Sequence, residues 1–167
     1  NEVLEHVVAL WREVSGKAEP VDPADGDQRR FADHARAANI ALRREMRDRD
    51  NYYPEIEAVA AKALAAAGHA GPGPIRERVL TELSASQGFR IQRVGSMPRT
   101  ARSITDTRDR IIFIPDQGGL RIRQARSVVL QTLGHFALEH SDTRDFGEYL
   151  RQRIESNYFA AAALAPE

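Results

Sequence analysis

Gln131, Thr132 and His135 stand at positions i, i+1 and i+4 of a stretch, "QTLGHFALEH" (131–140), whose apolar spacing predicts a helix. A zinc-peptidase helix carries His at i and i+4. About 3.6 residues per turn then bring both imidazoles to one face, and a Glu at i+1 acts as general base for the metal-bound water. Here Gln131 takes the first ligand position, Thr132 the position of the base, and only His135 keeps its identity. A neutral amide is a poor zinc ligand, and a threonine hydroxyl cannot accept a proton near neutral pH. Glu155 is available as a third ligand from the next helix, but His135 and Glu155 alone are too few for a zinc site. The stretch also contains His135, Glu139 and His140, one residue longer than the inverted H-x-x-E-H pattern. On a regular helix Glu139 would lie about 40° around the axis from His135 and His140 about 140° away, so the two histidines are not expected to share a metal.

The elements that must position these residues follow from periodicity. Val3, Val7, Leu10, Trp11 and Val14 have helical spacing, and 15–27, with its prolines, glycines and acids, reads as a linker. Residues 28–50 predict a long charged helix with a narrow stripe of Phe31, Ala35, Ala38, Leu42 and Met46. So thin a stripe suits packing on a partner, and residues 1–50 are therefore expected to form a helical arm that makes a homodimer. Residues 51–54 break that helix; Pro54 starts the next and Gly68 stops it. A further amphipathic helix spans 75–88. The period then changes to two in "FRIQRVG" (89–95), with an apolar run at 110–115 and a weaker strand at 99–106. These predict a small antiparallel sheet of about three strands, followed by helices at 123–140 and 148–164. The fold class is α+β, several helices around that sheet, with 51–167 as one domain.

Composition narrows the function classes. The 42% apolar content can build one core, and 24 basic residues balance 24 acidic ones, so no overall field selects nucleic acid or a membrane surface. The absence of cysteine excludes disulfides, thiol catalysis and cysteine metal sites. No apolar run reaches about 18 residues and the start is neither signal-like nor a methionine. The chain is expected to be cytoplasmic, without membrane association, and part of something longer.

Leu133, Gly134 and His135, followed by Glu155, Asn157, Phe159, Ala160, Leu164 and Pro166, resemble the two motifs of the ImmA/IrrE peptidase-like domain over roughly 75–167. "RDNYYPEIE" (49–57), "GFRI" and "NYFAAA" narrow the resemblance to the actinobacterial short-chain fatty-acyl regulators of the RamB/PrpR/ScfR type. The resemblance implies a degenerate zincin-like core without catalysis that binds a coenzyme A thioester as effector. DNA binding would reside in a helix-turn-helix outside this chain. No cofactor beyond that effector is implied.

A CoA thioester needs Arg forks for its phosphates, a flat face for adenine and an apolar slot for its acyl chain. In the 89–95 strand, Arg93 shares the side of Phe89 and Ile91, so it needs either a carboxylate or a ligand phosphate. Arg99 and Arg102 follow nearby. Tyr52 and Tyr53 present polar tips to a ligand, or else staple the start of the next helix. His135 offers a polar contact in the old metal pocket or is a satisfied core residue, paired with Glu155. Phe136, Tyr158 and Phe159 line an acyl slot or belong to the core. Two rival readings remain: a residual zinc metallopeptidase using His135, Glu155 and a nonstandard third ligand, and a dimerisation module without ligand.

Overall fold

The computed structural model describes residues 25–95, 97–98, 101–116 and 119–166. The stretch read as a helix at 2–14, most of the linker, and Arg99 lie outside the described residues.

Helix α1 (Asp25–Asp48) begins earlier than expected, inside the stretch read as linker. Its stripe is used by its own chain: Leu42 is buried, Ala35, Ala38 and Met46 are half-buried, and this helix packs on the last helix, α5 (Phe146–Leu164). Asp50 and Asn51 both adopt left-handed backbone (φ 52° and 56°), and the Asn51 amide donates to the Met46 carbonyl at 2.7 Å, which ends α1 sharply. Pro54 then opens α2 (Pro54–Ala66), with Glu55 and Glu57 in its first turn, where acids suit the helix dipole. Gly68 (φ +75°) stops it. Helix α3 spans Glu77–Ser86.

Three short strands follow: β1 (Arg90–Val94), β2 (Ile104–Asp106) and β3 (Ile111–Pro115). Their order is β1-β3-β2, with β2–β3 antiparallel and β1–β3 parallel. The sheet is therefore mixed, where alternation had predicted an antiparallel one. The reason is local. The β2–β3 turn is tight, with the buried Asp106 carboxylate accepting from the Arg108 and Asp109 amides at 2.9 and 3.0 Å, so β3 must run back beside β2. The chain between β1 and β2 crosses to the far edge, which leaves β1 parallel to β3. All five residues of β3 are buried, as a central strand covered on both faces requires. Ile112 and Ile114 join the main core, while Ile111 and Phe113 join a smaller cluster with Val94 and Ile104.

Helix α4 (Gly119–Ala137) carries the stretch that opened the argument and packs along α5. Leu130, Leu133, Phe159 and Ala163 are fully buried in this seam. The approach is close because Gly134 has no side chain: a Cβ there would lie 2.8 Å from Phe159 Cδ1. The α+β class holds, with the site held between the two helices that make the tightest contact.

Candidate functional site

Helix α4 does not continue through His140. Glu139 takes left-handed backbone (φ 55°), its amide donates to the Phe136 carbonyl at 3.1 Å, and the His140 amide donates to the His135 carbonyl at 3.0 Å. This pair of bonds is a Schellman cap, and it folds the chain back on the last turn. The two imidazoles, expected on opposite sides of a regular helix, come to lie 5.3 Å apart between centroids. Glu155 also finds a partner other than the expected one: its Oε2 lies 2.8 Å from His140 Nε2, not against His135. Ser156 Oγ lies 3.4 Å from His140 Nδ1. One tautomer satisfies both contacts, with Nε2–H donating to the carboxylate and Nδ1 accepting from the hydroxyl.

Among the described residues no group of three or more His, Asp or Glu side chains is arranged to hold a metal ion. Ser156, His140 and Glu155 follow the order of a nucleophile relay, but Ser156 stands mid-helix in α5. The backbone amides around it are committed to the helix, which leaves no pair of them to receive an oxyanion.

Beside this cluster lies a cleft of about 530 Å³. Gln131, Thr132, His135 and Phe136 line it from α4; Tyr149, Gln152, Arg153, Ser156 and Asn157 from α5; Arg102 and Thr105 from the β2 side. The five α5 residues recur at i, i+3, i+4, i+7 and i+8, the period of one helical face. None of the lining residues is a carboxylate, and among the described residues Arg102 and Arg153 form no ion pair. Desolvation, then the neighbouring His140, holds the His135 pKa below the ordinary histidine value, with Asp142 opposing. Phe136 meets His135 edge-on at 5.3 Å and packs on Phe89 at 4.7 Å, with the Arg110 guanidinium over both rings. The cleft thus combines cationic groups, amide and hydroxyl donors and aromatic surface.

Of the residues singled out in the sequence, the structure brings Arg102, His135 and Phe136 to the cleft. Arg93 pairs with the Glu77 carboxylate of α3, the first of the two partner types expected for it. Tyr53 and Tyr158 form an edge-on pair at 5.0 Å; the Tyr158 hydroxyl donates to Glu57 at 2.9 Å and accepts from the Tyr53 amide at 3.3 Å. That network ties α2 to α5 with both capacities of the phenol used. Tyr52 is exposed, and Phe159 is wholly core. Gln152, Arg153, Ser156 and Tyr149 were not anticipated, although their helical stripe was visible in "YLRQRIESN" (149–157).

A Mycobacterium tuberculosis transcriptional regulator of known structure shares this fold, with a TM-score of 0.59 at 18% identity over 75% of the present chain. The match covers 40% of that regulator, so the chain spans well under half of its length. No family model matches the sequence, and a search of curated proteins returned no significant match. Among the described residues no helix is long and apolar enough to cross a membrane.

Proposed function

We propose that the chain is the ligand-sensing part of a transcriptional regulator and that the cleft between α4 and α5 takes an acyl-CoA-like effector, a short- to medium-chain fatty acyl thioester. The charge make-up of the cleft carries this reading: among the described residues its walls hold two arginines without an ion pair and no carboxylate. Arg forks match phosphate oxygens, the amides of Gln131, Gln152 and Asn157 match carbonyl and peptide-like groups of the pantetheine, and Phe136 offers an apolar face to the acyl chain. A volume of about 530 Å³ falls within the range of small-molecule sites, of roughly 300–1,000 Å³. The fold shared with the mycobacterial regulator supports the setting. The pocket would descend from that of a peptidase whose base and first ligand positions are now Thr132 and Gln131, without hydrolysis. Operator contact would belong to a segment outside this chain, homodimer formation to the arm, and the setting would be the cytoplasm.

Native mass spectrometry of freshly purified protein, paired with thermal unfolding in propionyl-CoA, tests the reading. A retained mass of a CoA thioester, or a rise in Tm with ligand concentration, is expected, because a ligand that binds only the folded state must stabilise it. An unliganded mass with an unchanged Tm at saturating propionyl-CoA leaves the reading without support. Bound zinc that disappears in His135→Ala would restore the peptidase alternative.

A further inference from the structure

Helix α5 faces two ways, and a chain of side chains runs between its faces. Gln152, buried to 8% exposure in the cleft wall, donates from Nε2 to Glu148 Oε1 at 3.4 Å. Glu148 Oε2 lies 3.7 Å from Arg151 Nε, and Arg151 Nη1 donates to Glu45 Oε1 of α1 at 2.5 Å. One arginine is therefore shared by a carboxylate of its own helix and a carboxylate of the arm. Among the described residues α1 also contributes the buried Leu42 and the half-buried Met46, which packs on the main core, and Ala38 approaches Gly147 closely enough that a Cβ there would lie 3.6 Å away.

We infer that this relay couples the cleft to the docking of α1, so that an effector seated in the cleft loosens the arm. The inference rests on the effector reading of the cleft. An anionic or carbonyl-bearing ligand that accepts from the Gln152 amide draws it away from Glu148. Glu148 then has only Arg151 to answer its charge, competes harder with Glu45 for the guanidinium, and weakens the latch between α1 and α5. A contiguous network with two arrangements, each favoured by a different partner, is the physical requirement for coupling. By linkage, the factor by which ligand loosens the arm equals the factor by which a loosened arm tightens ligand binding. The relay residues Glu148, Arg151 and Glu45 act here as positioning residues, because none of them lines the cleft.

The test uses the full 167-residue chain with propionyl-CoA as probe, reading hydrogen exchange at the amides of 42–46 alongside calorimetric affinity. In the wild type, ligand is expected to speed exchange there by about ten-fold, within the usual range of coupling factors. Glu45→Gln, which unlatches the arm, is expected to tighten propionyl-CoA binding by a similar factor. Glu148→Gln, near-isosteric and exposed, is expected to bind ligand while the arm no longer responds. Wild type that binds propionyl-CoA with unchanged or slowed exchange at 42–46 overturns the inference and leaves the effector reading standing. A Glu148→Gln chain that responds like wild type also overturns it, since the coupling would then run elsewhere. Failure of the wild type to bind propionyl-CoA removes both together.

Discussion

The two helices that frame the cleft also make the tightest seam of the molecule, roughly one side chain away around the helix axis. Leu130, Leu133 and Gly134 of α4 belong to the fully buried cluster with Phe159 and Ala163 of α5. Their immediate neighbours Gln131, Thr132 and His135 face Gln152, Ser156 and Asn157 across open space. Successive residues on a helix point about 100° apart, so one short segment serves both surfaces. The seam shows what holds the fold, and the cleft shows what the fold is free to vary. Thr132 and Gln131 can therefore change without disturbing the packing, because neither residue belongs to the seam.

The contrast can be broken most severely on the seam side. Phe159→Ala removes a fully buried ring against Gly134 and should cost about 3–5 kcal/mol of unfolding free energy. Urea denaturation measures this, and a loss under 1 kcal/mol would mean the seam is not what pins the helices. Gly134→Ala should also destabilise, since its Cβ meets Phe159 Cδ1 at 2.8 Å. Overpacking of about 1–3 kcal/mol outweighs the gain of roughly 1 kcal/mol in helix propensity. Phe159→Leu in the same chain should recover part of the loss, and a double-mutant cycle reads that recovery.

On the cleft side the effects are smaller. Glu139→Gly relieves left-handed backbone at an exposed position and should raise stability by about 0.5–1 kcal/mol, with the turn that places His140 intact. A destabilised variant would show that the Glu139 side chain contributes more than its backbone costs. The smallest effect is on pH dependence. Because the folded chain holds the His135 pKa below its ordinary value, the unfolded chain binds that proton more readily. Stability attributable to this residue is complete above about pH 6.5 and declines as pH falls toward the lower folded value. His135→Gln should flatten this acid limb, as followed by Tm between pH 7 and 5; an unchanged slope would place its cause elsewhere.

Much of the fold was legible because its signals are local. Pro54 and Gly68 mark the ends of α2, the period of two marks β1, and the Val129, Leu130 and Leu133 spacing marks α4 as a core helix. The parallel pairing of β1 with β3 was not legible, because strand direction is set by the β2–β3 turn and the crossing before it, not by alternation within β1. The meeting of His135 and His140 was hidden for a related reason. A helix reversal is usually announced by glycine, and here Glu139 supplies the left-handed residue. Partner choice was equally invisible: Glu155 takes His140 and Arg93 takes Glu77, pairings that only packing decides. The polar stripe of α5 was in plain view from Tyr149 to Asn157, yet a charged helical face ordinarily meets solvent, and only the opposing α4 turns it into a wall.

Calorimetric titration of propionyl-CoA into the wild type and into an Arg102→Ala/Arg153→Ala chain tests the central claim most directly. Both arginines are exposed, so the variant should fold with stability within about 0.5 kcal/mol of wild type. The account predicts saturable binding to the wild type, weakened by rising salt, and at least a ten-fold loss in the variant as two charge-assisted contacts disappear. Equal affinity in both chains, or no binding to either, contradicts it.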